Sequence, residues 1–158
     1  MGMTSHQSAR CKSTTWLTPP EIIHALGPFD LDPCCPENMP WRTATTMWHE
    51  AGLARSWEGR VWLNPPFNET GKWLSRLADH GHGIALIAAR TETKTFFKYV
   101  WDRAQGILFL RGRPHFYYPN GTRAPFNSGC PICLVGYGAF ESDDLAIRMG
   151  ESGKYIEL

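Results

Sequence analysis

The sequence of 158 residues has no apolar run long enough to cross a membrane, and its first residues lack the pattern of a secretory signal. An excess of one charge is also missing, because 16 basic and 15 acidic side chains leave a formal net charge of +1. We therefore expect a cytosolic protein without membrane partners. Any contact with nucleic acid must depend on local clusters of charge rather than on the net charge.

A disulfide framework or a zinc site has little support. The five cysteines are an odd number, and a cytosolic chain keeps its thiols reduced. Cys130 and Cys133 have a C-x-x-C spacing that the pair Cys34 and Cys35 would complete as a four-thiolate site. Against zinc, Cys133 falls in a run predicted to be a buried strand, and adjacent cysteines are awkward co-ligands. We expect free thiols and no metal.

Length and composition favour one globular domain. An apolar fraction of 42% and a charged fraction of 20% are ordinary for such a domain, and the length allows a sizeable core. Residues 1–15 are polar and without periodicity, which predicts a flexible arm. The domain is then expected to span residues 16–158, as a monomer.

A stiff loop, Asn64-Pro65-Pro66-Phe67 (the Asn64 loop), follows the apolar run 59–63, which predicts a buried strand. The prolines end the strand and restrict the loop backbone. The amide oxygen of Asn64 and the carbonyl of Pro65 are suited to accept the hydrogens of an exocyclic amine, which frees its lone pair to attack a methyl donor. Phe67 is suited to stack on the base. The alternative is a purely structural turn that ends the strand, with Phe67 in the core.

Strands and helices alternate through the chain. Predicted strands cover residues 29–32, 59–63, 83–89, 106–110 and 131–138, and predicted helices cover 19–26, 70–80 and 93–103. For the first helix, Thr18 is the expected cap, Pro19 the first helical position and Gly27 the end. This succession predicts a doubly wound α/β sheet. Residues 36–49 are expected to be a loop, and residues 141–158 to be peripheral.

Basic and aromatic side chains alternate between residues 111 and 123. The cluster consists of Arg111, Arg113, His115, Phe116, Tyr117, Tyr118 and Arg123, with a turn at Pro119-Asn120-Gly121. Such interleaving is typical of contacts to single strands or flipped bases. The alternative is a β-hairpin with packed aromatics and solvated charges.

Five motifs occur in order along the chain: Trp16-Leu17-Thr18-Pro19-Pro20, Phe29-Asp30-Leu31-Asp32-Pro33, Val61 to Phe67, Ala88-Ala89-Arg90-Thr91-Glu92-Thr93-Lys94 and Phe109-Leu110-Arg111-Gly112-Arg113. This series resembles the phage-type, Dam-like DNA N6-adenine methyltransferases, which use S-adenosylmethionine. The resemblance spans residues 16–138. It implies a class I methyltransferase-like (Rossmann-like) α/β fold, doubly wound, with a mostly parallel sheet and a C-terminal antiparallel hairpin. It also implies a double-stranded DNA substrate and a phage- or prophage-encoded enzyme in a bacterial cytosol.

The resemblance also implies roles for individual residues. The catalytic residues would be Asn64, Pro65, Pro66 and Phe67, and the cofactor would contact Thr18, Pro19, Asp32, Glu50 and Asn64. The residues facing DNA would be Arg90, Arg111, Arg113 and Arg123. One departure affects the cofactor contacts, since Cys34-Cys35-Pro36-Glu37-Asn38 stands where the wider methyltransferase pattern has a glycine-rich turn. Asp32 as a plain turn residue and Glu50 as a solvated surface residue remain alternatives.

Two other functions stay open at this stage. The same Asn-Pro-Pro-Phe chemistry suits another planar amine or amide, in RNA or on a protein glutamine. A catalytically inactive relative that only binds DNA is the alternative from another class. Because no separate recognition domain fits this length, specificity is expected to come from the loops at 36–49 and 111–130.

Overall fold

The computed structural model of the protein describes residues 15–158, so the predicted arm lies outside the described residues except at its last position. Within this range the strands are β1 (Leu31–Asp32), β2 (Thr46–Met47), β3 (Val61–Leu63), β4 (Gly83–Ala88), β5 (Gly106–Leu110), β6 (Ile132–Tyr137) and β7 (Gly153–Glu157). The helices are α1 (Pro20–Leu26), α2 (Thr70–His80), α3 (Lys94–Phe96, extended by a π-helical turn at Phe97–Trp101) and α4 (Ala139–Met149).

The strands form one sheet in the order β2-β1-β3-β4-β6-β5-β7. Strands β2, β1, β3 and β4 are parallel neighbours, whereas β6 is antiparallel to β4 and β5, and β7 is antiparallel to β5. The predicted α/β class is confirmed, and so is antiparallel pairing in the carboxyl-terminal part. Half of the pairings are antiparallel, so the sheet is mixed rather than mostly parallel. The reason is that β6 enters through a long loop, residues 111–131, and not through a helical crossover.

Both faces of the sheet are covered, because side chains alternate between the faces along the central strands. One face buries Val61, Leu63, Ala85, Ile87, Cys133 and Val135 against α2 and α3. The other buries Trp62, Ile84, Leu86, Leu108, Ile132 and Leu134 against α1 and α4. Helix α2 has the predicted bounds and buries the three predicted side chains, Trp73, Leu74 and Leu77.

The start of α1 differs from the prediction. The helix begins at Pro20 and not at Pro19, and no side chain caps it. The Thr18 hydroxyl is instead buried and accepts a hydrogen bond from the Trp62 indole nitrogen at 3.2 Å. The predicted cap is therefore wrong, because a buried indole N–H in the sheet needs this acceptor. The predicted end at Gly27 is confirmed, and its N–H donates to the Ile23 carbonyl at 2.7 Å.

Two predicted irregular regions contain regular structure. Residues 36–49 include β2, an exposed two-residue edge strand that pairs with β1 and has no alternating apolar signal. Residues 141–158 are not peripheral, since α4 packs on the sheet and β7 forms its edge. The prediction failed there because the buried face of α4 includes carboxylates, Glu141 and Asp144, which resemble a solvated helix in a sequence.

Those two carboxylates surround the buried guanidinium of Arg60, which precedes β3. Its Nη2 lies 2.9 Å from Glu141 and 2.6 Å from Asp144, and its Nη1 donates to the Leu26 carbonyl at 2.6 Å. The side chain of His82 is half-exposed, and its Nδ1 lies 3.0 Å from Oε1 of Glu141. This cluster ties α4 to α1 and to the amino-terminal end of β3.

No helix in residues 15–158 is long and apolar enough to cross a membrane. The two longest, α2 and α4, have 11 residues each, well below the roughly 20 that a hydrocarbon core requires.

Candidate active site

Strand order brings two predicted site residues together. Strands β1 and β3 are parallel neighbours, with Leu31 opposite Val61. Asp32 ends β1 and Asn64 directly follows β3, so both stand at the same edge of the sheet. Ligands of open α/β sheets bind at this edge, outside the carboxyl ends of the strands.

Cys34 connects these two strand ends. Its backbone N–H donates to Asp32 Oδ1 at 3.2 Å, and its thiol donates to the Asn64 carbonyl at 3.5 Å. Burial, followed by the nearby Asp32 charge, raises the pKa of the Cys34 thiol well above its usual value. The sulfur therefore keeps its proton and remains a donor. The turn at Cys34 contains no glycine, yet its hydrogen bonds connect the end of β1 to the residue after β3.

Asp32 is a buried carboxyl group, with 3% of its surface exposed. Burial raises its pKa to about 6, although hydrogen bonds from the Thr43 hydroxyl at 2.5 Å and the Cys34 amide oppose the shift. No basic side chain within residues 15–158 forms an ion pair with it. A buried carboxylate of this kind is suited to receive a cationic ligand.

The side chain of Asn64 is oriented by the segment before α1. Its amide nitrogen donates to the carbonyl of Trp16 at 2.9 Å. Because a carbonyl only accepts, the nitrogen must face Trp16 and the oxygen Oδ1 must point away from it. Neither this oxygen nor the Pro65 carbonyl accepts a hydrogen bond from another described residue. Two acceptors on consecutive residues thus remain without a partner among the described residues.

Phe67 is neither in the core nor fully solvated, with 45% of its surface exposed. It begins the short 3-10 turn that leads into α2, and it lines a cavity of about 330 Å³. Arg90, just after β4, lines the same cavity, together with Thr70, Thr93, Thr95, Phe96 and several neighbours. The structure therefore brings Phe67 and Arg90 together. An aromatic face beside a cavity is suited to a planar ligand.

The two predicted specificity loops touch each other. The rings of Trp41 and Tyr117 meet edge to face, with centroids 5.1 Å apart. A side chain at Gly121, where φ is +82°, would meet Pro40. The turn at residues 119–121 is confirmed, since the Gly121 N–H donates to the Tyr118 carbonyl at 2.8 Å. The loops at residues 36–49 and 111–131 thus contact each other through Trp41 and Pro40.

The long loop also reaches the segment that holds Asn64. The N–H of Leu17 donates to the Tyr117 carbonyl at 2.9 Å, and the reciprocal bond measures 3.3 Å. Trp16 packs on Tyr118 with a centroid separation of 5.4 Å. The long loop is therefore paired with Leu17, one residue away from the carbonyl that orients the Asn64 amide.

Other predicted residues make no hydrogen bond to Asp32 or to the Asn64 side chain. The Thr18 hydroxyl is engaged with Trp62, Pro19 is buried, and Glu50 is exposed after β2. Arg111, Arg113 and Arg123 are exposed on the long loop. Three contributors were missed: the Thr43 hydroxyl, the Cys34 thiol and the Trp16 carbonyl. Only the position of Cys34, directly after the Asp-Pro motif, offered a local signal.

The four cysteines of residues 15–158 do not assemble into a metal-binding cluster. Cys34, Cys35, Cys130 and Cys133 are free thiols, and within residues 15–158 no group of three or more His, Cys, Asp or Glu side chains is placed to hold a metal ion. Burial raises the pKa of Cys133 far above its usual value, as expected for a thiol in a core strand. The expectation of no zinc stays a prediction that elemental analysis can test.

Comparison with known proteins gives one match. The family model described as DNA N-6-adenine-methyltransferase (Dam) matches residues 5–136, most of the chain. The matched range includes Asp32, the Asn64 loop and Arg90, and it ends before α4. No curated protein and no solved structure matches the chain.

Proposed function

The chain belongs to the DNA N-6-adenine-methyltransferase (Dam) family, and on that basis we propose that it methylates the exocyclic amine of a flipped adenine in double-stranded DNA with S-adenosylmethionine. We further propose that the fold is class I methyltransferase-like. The site at the carboxyl ends of the parallel strands and the helices on both faces of the sheet support this. One observation carries the proposed activity: the Asn64 amide nitrogen is held by the Trp16 carbonyl, which leaves the Asn64 oxygen and the carbonyl of the following residue, Pro65, without a partner among the described residues.

Those acceptors fit the chemistry of an aromatic amine. The amine is a poor nucleophile while its lone pair is delocalised into the ring. The Asn64 oxygen and the Pro65 carbonyl each accept one of its hydrogens, which favours a pyramidal nitrogen with a localised lone pair. Because Pro66 restricts the backbone of Pro65, this carbonyl needs little reorganisation as the reaction proceeds.

The flipped base is proposed to stack on Phe67. Its ring is 45% exposed, and its neighbours around the cavity leave room beside it. Base stacking on an aromatic ring contributes about 1–3 kcal/mol per base and does not depend on sequence. Arg90 lines the same cavity and is placed to contact the nucleotide or its phosphate.

The residues present fit the proposed cofactor. Asp32 is buried, carries a raised pKa and lacks a cationic partner in residues 15–158, so the ammonium group of S-adenosylmethionine would supply the missing charge. When bound, this cofactor supplies a methyl group activated by a sulfonium. Thr43 and the Cys34 amide hold the carboxylate, and Asn64 stands on the next strand. Glu50 and the Thr18–Pro19 step are proposed to contact the cofactor only at the periphery of the site.

Loss of the proton needs no dedicated base. The attacking nitrogen becomes acidic once it carries the methyl group, so its proton passes to water. The one strongly shifted carboxyl near Asn64 is Asp32, and its role on this proposal is to bind the cofactor cation.

The proposal is tested by incubating the protein with unmethylated genomic DNA and S-adenosylmethionine, digesting the DNA and identifying the nucleosides by mass spectrometry. The expected product is N6-methyl-2′-deoxyadenosine. RNA and a glutamine-containing protein extract serve as alternative acceptors in parallel reactions. Methylation of either of these but not of DNA would overturn the DNA assignment. DNA binding without cofactor binding, measured by calorimetry, would identify an inactive relative instead.

A further inference from the structure

The long loop displays an aromatic side chain that nothing in the proposed chemistry uses. Phe126 is 81% exposed, far more than Phe67 or any other exposed phenylalanine of the described chain. A phenylalanine side chain left in water forgoes the favourable free energy of burying its apolar surface. A single exposed apolar residue needs no explanation by itself. Two further observations bear on Phe126. One is the hydrogen-bonded backbone on either side of it, and the other is the basic character of the long loop.

The backbone on both sides of Phe126 is fixed by burial and hydrogen bonds. The residues at positions 124 and 128, on either side of a three-residue tip, are both buried. The Ala124 N–H donates to the Phe116 carbonyl, and the Ser128 N–H donates to the Pro114 carbonyl, each at 2.8 Å. Pro125 restricts the backbone just before the phenylalanine. The ring is therefore presented by a braced tip, so little conformational entropy is lost when it inserts into a partner.

The surroundings of Phe126 are basic. The chain has no aspartate or glutamate between Asp102 and Glu141, whereas the long loop carries three exposed arginines. One of them, Arg113, donates to the Gly129 carbonyl at 3.3 Å and so lies against the base of the tip. An exposed apolar ring on a loop with basic and no acidic side chains suits a polyanion with stacked aromatic groups more than it suits a protein surface.

The tip also stands at the correct edge of the sheet. Ala88 of β4 pairs with Ile132 of β6, so the long loop emerges at the carboxyl end of β4, beside the end of β3. The Ala89 N–H donates to the Pro131 carbonyl at 2.9 Å and fastens the loop there. The loop that carries Phe126 and the Asn64 loop therefore start from the same edge, and contacts of Tyr117 and Tyr118 with the segment at Trp16 connect them.

We propose that Phe126 is a wedge that inserts into the DNA base stack at the position vacated by the flipped adenine. Extruding a base leaves its neighbours unstacked, which is unfavourable, and an apolar side chain that fills the gap offsets part of this cost. This inference rests on the proposed methylation of a flipped adenine, and it assigns to Phe126 a positioning role without contact to the amine or the cofactor.

The test compares Phe126→Ala, Phe126→Leu and Ile147→Ala with the parent protein. The target site is first mapped on genomic DNA, and duplexes are then made with 2-aminopurine in place of the target adenine. Fluorescence of 2-aminopurine rises when the base leaves the stack. We expect Phe126→Ala to reduce this rise and to lower methylation of normal duplex by about tenfold or more. Leucine, which also serves as a wedge, should retain most of both signals. Ile147 is 82% exposed on α4 and is the matched control.

A second substrate separates a wedge from a general DNA contact. A duplex in which the target adenine lies opposite an abasic position already has an unpaired, easily extruded base, so Phe126→Ala should methylate it at nearly the parent rate. Equal loss on both duplexes, or no loss on either, would overturn the wedge. If the parent protein itself does not methylate DNA, the proposed function fails; if it does and Phe126→Ala matches it in rate and fluorescence, only the wedge fails.

Discussion

The side-chain nitrogen of Asn64 donates to the backbone carbonyl of Trp16 at 2.9 Å, across 48 positions of the sequence. This bond determines which end of the amide faces the ligand, because a carbonyl has no hydrogen to donate. The segment that contains Trp16 is in turn paired with Tyr117 of the long loop through Leu17. The orientation of the Asn64 amide thus depends on a segment that is paired with the long loop.

Replacing Asn64 should separate catalysis from folding. In Asn64→Ala the amine loses one of its two acceptors, and we expect turnover to fall about a hundredfold or more. The Trp16 carbonyl loses its donor, which should lower the free energy of unfolding by only about 1 kcal/mol. Methylation kinetics, calorimetry of cofactor binding and thermal unfolding measure the three quantities. Near-parent turnover would exclude Asn64 as the catalytic amide.

Asp32→Asn should stabilise the protein while abolishing cofactor binding. The folded pKa of about 6 lies above the ordinary 3.8, so the folded state holds the proton more tightly than the unfolded state does. The free energy of unfolding of the parent should therefore fall as the pH rises from about 4 to about 6. The two-unit shift corresponds to about 3 kcal/mol, which the neutral amide avoids.

The measurement is thermal or urea unfolding of both proteins between pH 4 and pH 8 without cofactor. The difference between them should be small near pH 4 and largest above pH 6. A difference that is independent of pH would show that Asp32 is not the titrating group. Calorimetry at pH 7.5 should detect no binding of S-adenosylmethionine to Asp32→Asn.

Thr43→Val should weaken cofactor binding through Asp32. The Thr43 hydroxyl lowers the pKa of Asp32 by donating to the carboxylate, so its loss should move that pKa above 6. Cofactor affinity, which should rise with pH as Asp32 ionises, is then expected to reach half of its plateau at a higher pH than in the parent. Thr45→Val is the control, since that hydroxyl donates to the Phe29 carbonyl instead. Identical shifts in both variants would contradict the assignment.

The arginines of the long loop should contribute to DNA affinity through phosphate. If Arg111, Arg113 or Arg123 contacts a phosphate, its replacement by alanine should weaken binding to all DNA sequences similarly and flatten the salt slope by about one unit. We expect this for at least one of the three. The measurement is DNA affinity against salt concentration. Arg103→Ala is the control. Arg103 pairs with Asp79 and lies just before the amino-terminal end of β5, whereas the long loop follows the carboxyl-terminal end of that strand. Unchanged slopes in all three loop variants would move the DNA path to residues 36–49.

The buried cation at the other edge of the sheet should be essential for folding. Arg60→Met leaves the carboxylates of Glu141 and Asp144 buried without their guanidinium, and we expect a loss of about 3–5 kcal/mol in the free energy of unfolding. Arg148→Met removes a more exposed partner of Asp144 and should cost no more than about 1 kcal/mol. Urea unfolding of the two variants checks the difference, and equal losses would contradict it.

The sequence by itself determined the features that depend on neighbours along the chain. Apolar periodicity specified α2 over residues 70–80 and the buried strands at 83–88 and 106–110. Proline restricted the Asn64 loop locally, so its stiffness and its position after a strand were predictable. The expected contacts of Arg90 and of the long loop with DNA are of the same local kind and stay predictions.

Only the tertiary structure decided which distant groups meet. β2 exists because a parallel neighbour pairs with it, and α4 is buried because Arg60, 81 positions away, neutralises Glu141. Thr18 looks like a cap along the chain, but the Trp62 indole takes its hydroxyl. Thr43 reaches Asp32, and Trp16 reaches Asn64, through loops whose residues have no periodic signal. Local propensity cannot specify such pairs, because each depends on a buried polar group that is satisfied only when the sheet has assembled.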